Sequence, residues 1–232
     1  MAVAHDASSE SHSSGQSASE ASFSWTHTPA GTPSGVLVFT YVKANANDAL
    51  SVTYGGVSLT AVSSGRAVDT AGEPGDCKAW FLGSGIPTGA QSVVVNRNNN
   101  ANLMLAHCVT VTANSDTGTG TPVLVQGDGT VAEQSVDDDS PGTNSVRYAG
   151  FYWGGIGALN AGANSTALQH SDFGLGGAGA NLARETTAGQ GARSVGFSNG
   201  STDDRAGVHL AVKEVVAESY LPPPRQYQVR SR

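Results

Sequence analysis

The chain has 232 residues, with 12 basic against 19 acidic side chains and a formal charge of −7, which is length enough for one large domain or two small ones with a self-sufficient core. Glycine supplies 30 residues, and charged residues make up only 13%, about half the usual share; long solvated helices are therefore excluded for want of outer-face charge, while 38% hydrophobic content excludes wholesale disorder. The acidic balance argues against a general nucleic-acid binder. No apolar run reaches the roughly 18 residues of a spanning helix, residues 1–20 lack the basic start and apolar stretch of a secretory leader, and two cysteines make no disulfide framework.

In chain order, Ser8–Ser24 holds nine serines, too little apolar surface to fold alone; residues 1–21 are predicted as an N-terminal arm, either flexible or a loosely held edge. From Phe23 the pattern turns to period two: Phe23, Trp25 and His27 alternate with small polar residues and mark one face of a strand. Thr28–Gly35 is a turn, and Val36–Val42 (VLVFTYV) is a buried central strand by composition. Leu50, Val52 and Tyr54 alternate into Gly55–Gly56, a tight hairpin signal leading to Val57, Leu59 and Ala61. Arg66–Asp76 is predicted as a polar loop, Lys78–Leu82 as a strand, Gly83–Gly89 as a turn, Gln91–Val95 as a strand, Asn96–Asn102 as a loop and Leu103–Thr112 as a long strand.

The second half is looser. Thr117–Thr121 alternates Gly and Thr and is predicted as a loop; Val123–Val125 is short and apolar; Asp137–Gly142 is an acidic turn. Val146–Trp153 (VRYAGFYW) is an aromatic strand, Gly154–Gly179 leaves room only for short strands such as Ala167–His170, and Arg193–Phe197 and Val208–Val216 close the domain. Ten or eleven strands between Gly, Pro, Asn and Asp turns, with no sustained helical period, predict one all-β antiparallel sandwich over residues 22–216.

No spacing in this chain is read as catalytic. His5, His12, His27, His107, His170 and His209 form no zinc motif, and Gly174–Gly179 (GLGGAG) lacks the helix that a dinucleotide loop requires. Asp137–Asp138–Asp139 and Asp203–Asp204 read as solvated turns rather than calcium loops, and Cys77 and Cys108 as free thiols. Tyr148, Phe151, Tyr152 and Trp153 crowd one segment; they are either core rings or a stacking platform for sugars. No metal and no cofactor is expected.

The order of the segments SWTHT (24–28), GVLVF (35–39), SVTYGGVSL (51–59), AWFL (79–82) and PTGAQSV (87–93) resembles a family of jelly-roll-like β-sandwich domains in phage virion proteins and some bacterial surface proteins. The resemblance covers residues 22–216. It implies a sandwich fold and a virion or extracellular setting, and it implies no activity. With it, the expected function is that of a non-enzymatic virion structural protein, made in the host cytoplasm: a head decoration (cement) or minor capsid protein. Its partners would be the major capsid protein, other virion proteins or further copies of itself, with neither nucleic acid nor membrane. The alternative is a carbohydrate-binding module on a phage tail or bacterial surface. Residues 217–232 form a separate C-terminal arm. All nineteen acids and nine of the twelve basic residues precede Tyr220, so the body carries −10 and the arm +3. Tyr220, Pro222, Pro223, Pro224, Arg225, Tyr227, Arg230 and Arg232 are its candidate partner-binding residues: the prolines stiffen it, the arginines can fork carboxylates, and the tyrosines offer ring area.

Overall fold

A computed structural model of the chain describes residues 3–12, 20–98, 102–138, 145–155, 157–173 and 177–215. No helix occurs among them. The first half contains β1 (Ala4–His12), β2 (Ser22–His27), β3 (Gly35–Val42), β4 (Ala49–Tyr54), β5 (Val57–Ser58), β6 (Thr60–Asp69), β7 (Gly75–Leu82), β8 (Gln91–Arg97) and β9 (Met104–Thr112). The second contains β10 (Thr117–Thr119), β11 (Val123–Gln126), β12 (Gly129–Val131), β13 (Gln134–Val136), β14 (Ser145–Trp153), β15 (Asn160–Ala161), β16 (Ser165–Asp172), β17 (Gly179–Glu185), β18 (Arg193–Val195), β19 (Phe197–Asp203) and β20 (Arg205–Glu214). Every pairing is antiparallel, as the alternation in the sequence requires.

The all-β sandwich is built twice. The first half forms sheets β1-β9-β3-β7-β6 and β2-β8-β4-β5. The second forms β10-β20-β14-β17-β16, with β11 also on β20, and two small sheets, β12-β19-β15 and β13-β18. The order β9-β3-β7-β6 thus recurs as β20-β14-β17-β16, and β2-β8-β4 recurs as β12-β19-β15.

Three cores hold the sheets in one stack. In β3, Val36, Val38 and Val42 point into a core shared with Phe23, Val52, Tyr54, Val93 and Val95 of the β2-β8-β4 sheet. The alternate residues Leu37, Phe39 and Tyr41 point into a second core, facing Val146, Tyr148 and Tyr152 of β14 and Val208, Leu210 and Val212 of β20. The other face of β14 sends Ala149, Phe151 and Trp153 into a third, against Val131, Val136, Val195 and Phe197. The central strands β3 and β14 of the two middle sheets are buried on both faces and have no exposed residue.

Rings seated on glycines lock the middle core. A Cβ on Gly150 would lie 2.3 Å from the Phe39 ring, and one on Gly75 would lie 2.1 Å from the Tyr152 ring. The Cys77 thiol donates to the Gly150 carbonyl (3.3 Å), and the Tyr41 hydroxyl donates to the Asn181 carbonyl (3.3 Å). Between the halves, the Thr117 N–H donates to the Gly83 carbonyl at 2.9 Å, and a Cβ on Gly83 would meet the Thr117 carbonyl oxygen at 1.9 Å. Both atoms are tied to backbone and cannot swing aside. Gly83→Ala is therefore expected to cost about 2–3 kcal/mol, read as a lowered midpoint in urea with an unchanged slope.

Several expectations change. Of the two forms expected for the Ser-rich start, residues 4–12 take the edge: β1 is an edge strand paired with β9, anchored by buried Val3. Arg66–Asp76 is not one long loop, because β6 continues to Asp69 with Gly65, Ala67 and Asp69 turned inward, and β7 begins at Gly75. Thr117–Thr119 pairs with β20 rather than looping. Leu50 is 59% exposed, since a bulge between Ala49 and Ser51 shifts the register and leaves it out of step with Val52. The hairpin at Gly55–Gly56 forms as expected, with φ of 55° and 83°, the left-handed pair that a two-residue turn needs.

Cys77 and Cys108 are both free and buried. They sit on opposite faces of one sheet, Cys77 in the middle core and Cys108 in the first, so no disulfide can join them. Burial raises both thiol pKa values. Neither should react with a thiol reagent in the folded protein, and both should react once it is unfolded.

Candidate functional site

Of the histidines whose side chains are described, His5, His27, His107 and His170 are pins between strands. His27 lies between Ser9 Oγ (2.7 Å) and Thr110 Oγ1 (3.1 Å), and His107 between the Tyr41 hydroxyl (3.1 Å) and Ser171 Oγ (3.3 Å). His5 meets the Tyr148 hydroxyl at 3.1 Å, and His170 bridges Asn181 Oδ1 (3.1 Å) and Asp172 Oδ1 (3.2 Å). His209 is buried edge-on to the Phe151 ring.

Burial pulls His107 down to about 3 and His209 to about 4. The unfolded chain takes up these protons near the ordinary value of about 6.5, the folded protein only near 3–4. Their stabilisation is present above pH 6.5 and drains as pH falls through that window, at up to about 1.4 kcal/mol per pH unit for each group. Asp76 opposes this: burial outweighs Arg66 and raises its carboxyl to about 6, so between its unfolded pKa and 6 the folded state holds the extra proton. The histidines outnumber it. Acidification from pH 6.5 to 4 is expected to lower the urea midpoint steadily, and His107→Gln to make that slope shallower by about one proton.

The aromatic segment is core. Tyr148 and Tyr152 fill the middle core, and Phe151 and Trp153 the third; none of the four is available as a sugar platform. Asp138 is not solvated: it is buried, accepts from Ser145 Oγ at 3.0 Å and lies 3.6 Å from Arg147. Asp139–Gly142 lie outside the described residues. Gly177–Ala178 lead into strand β17, so the glycine run ends in a strand, not a phosphate-binding helix. The candidate residues Tyr220, Pro222, Pro223, Pro224, Arg225, Tyr227, Arg230 and Arg232 also lie outside the described residues.

What the fold does assemble is a seam where β6, at the edge of one middle sheet, passes β10, β11 and β20 of the other. At one end of it opens a groove of about 560 Å³ lined by Thr60–Ser63, Phe81–Ser84, Asp116–Thr119 and Val215. A smaller stretch of about 290 Å³ continues it along Val62–Ser64 and Thr119–Pro122. Leu124 (38%) and Val215 (53%) are the large apolar side chains left exposed beside it.

At the other end of the seam three segments bring carboxylates together. Asp69 closes β6, Asp204 precedes β20, and Asp128 lies between β11 and β12; one oxygen of each falls within 4.8 Å of the others. Asp69 accepts from the N–H groups of Ala71 (3.0 Å) and Arg205 (2.9 Å), and Asp204 accepts from the N–H of Glu73. A hydrogen bond to Asp204, and then its charge, raise the pKa of the Asp128 carboxyl. Asp203 adds negative charge at the same end, Glu73 is paired with Lys43 at 3.1 Å, and the Arg205 guanidinium is spent on the carbonyls of Gly127 and Thr130. These oxygens are the donors a hard divalent cation would use, though both buried carboxylates already serve as backbone acceptors. Of this set the sequence reading noted only Asp203–Asp204, as a solvated turn; Asp69 and Asp128 are remote in the chain, and no spacing signals their meeting.

No family model, curated protein or solved structure matches the chain.

Proposed function

We propose that the protein is a virion structural protein, a head decoration (cement) or other minor capsid component, which binds a protein lattice without catalysis. The observation that carries this reading is the strand order. With β6 set aside as an addition beyond β7, the first nine strands divide into two four-stranded sheets, β1-β9-β3-β7 and β2-β8-β4-β5, which we read as a jelly roll, and the second half repeats most of the order. Two such units fused through a dry core make a stiff block suited to bracing neighbours.

The outer surface supports the reading. The outward residues of the β2-β8-β4 sheet, among them Ser22, Ser24, Thr26, Ser51, Thr53 and Ser92, include no charged side chain, because Arg97 is buried. A flat, uncharged hydroxyl face can lie against a protein shell at low desolvation cost. His5, His27, His107 and His170 are held as strand-to-strand pins and the main groove is open and uncharged except for Asp116, which favours binding over turnover. The C-terminal arm, Tyr220–Arg232, would add contacts to the major capsid protein or to a neighbouring copy, and many copies would supply avidity.

The carbohydrate-binding alternative now rests on the hydroxyl face, its aromatic platform being buried. Fractionating purified particles tests the choice: the protein should travel with heads. Recovery with tails, together with retention on a glycan array, would replace the proposal with the alternative.

A further inference from the structure

The seam has an apolar groove at one end, a carboxylate cluster at the other, and the chain itself leaving from the groove. Val215, the last described residue, lines the groove, and its N–H donates to the Asp116 carbonyl at 2.8 Å. Seventeen residues follow it, carrying Tyr220, Leu221, three prolines and then three arginines. We propose that the C-terminal arm folds back along the seam of its own chain, with Tyr220–Pro224 in the groove and Arg230 and Arg232 on the acidic cluster.

Length, charge and order all fit. The seam follows β20, whose ten residues span about 33 Å. With residues 216–219 making the return, Arg230 lies ten residues past Tyr220, about 31 Å for an extended proline-type chain. The apolar part of the arm then passes Val62 and Phe81, and its cationic end arrives where Asp69, Asp128 and Asp204 converge. No lining residue of the groove is basic; farther along, Arg66 is paired with Asp76 and the Arg205 guanidinium is held by the carbonyls of Gly127 and Thr130. A segment of the same chain also starts with an effective concentration in the millimolar range. The docking is independent of the virion reading, but it bears on it: an arm parked on its own body in the free protein is one that a lattice partner must displace.

Disulfide trapping in the full-length protein tests this, since buried Cys77 and Cys108 stay silent. Leu124 pairs with Val208, part-way along the seam and level with Gln226 of a docked arm. Ser115, exposed beside the point of exit, is nearer for an arm that moves freely. Leu124→Cys with Gln226→Cys should close an intramolecular disulfide at least tenfold faster than Ser115→Cys with Gln226→Cys. That preference should fall severalfold in Asp128→Lys and in 1 M salt. Equal or faster closure at position 115 would overturn the proposal, and disulfide-linked dimers through position 124 would assign the seam to the arm of a second copy instead.

Discussion

Val38→Asp is expected to leave no soluble folded protein. Val38 is fully buried in β3, paired with Trp80 on one side and Cys108 on the other, and its side chain points into the first core among Val36, Val42 and Tyr54. The cluster it packs in is apolar. A carboxylate there would have to ionise without a partner or take up a proton, at a cost of several kcal/mol either way. That is a large part of a typical domain's 5–15 kcal/mol. Soluble expression, followed by the near-ultraviolet circular dichroism of any soluble fraction, reads the result. A native-like spectrum would place Val38 at a surface and undo the layer assignment.

Arg147→Met is the second large effect, and it tests the other half of the molecule. Arg147 is completely buried. Its Nε donates to the Val136 carbonyl (3.0 Å), Nη1 to Glu185 (3.1 Å) and to the Gly189 carbonyl (2.9 Å), and Nη2 to the Gly191 carbonyl. One side chain therefore ties β13, β14, β17 and the turn before β18. Removing it leaves Glu185 with Arg193 at 3.0 Å and the backbone N–H of residue 147 at 2.9 Å and strands three carbonyls, so a loss of about 3–5 kcal/mol is expected. The double variant Arg147→Met, Glu185→Leu should recover part of it, because the uncompensated carboxylate is then gone. Equal urea midpoints for the single variant and the parent would show that the network is not a brace.

These residues also show what the sequence can and cannot reveal. Val36–Val42 and Val146–Trp153 are legible as buried strands because β-branched and aromatic residues fill both of their faces. The meaning of that double burial was not legible: it marks the inner layers of a stack of sandwiches, whereas one sandwich was expected. Sheet order and stacking depend on long-range pairings, such as β9 with β3 and β20 with β14, which leave no trace in local alternation. Strand β17 (GANLARE) was missed because glycine and alanine carry little β-propensity; it is a strand because β14 and β16 pair with both its edges. β10 hid in a Thr-Gly alternation for the same reason. At the site, the cationic arm was legible from composition. The carboxylates of Asp69, Asp128 and Asp204 were not, being gathered from three turns that only the folded sheets bring together.

The measurement that bears most directly on the proposed function is add-back to particles made without this protein. Purified full-length protein should bind such particles to a fixed saturating ratio and raise their resistance to heat and osmotic shock, with no chemical change in any particle component. Particles whose resistance is unchanged at saturation, or that bind no protein at all, would contradict a structural role on the shell.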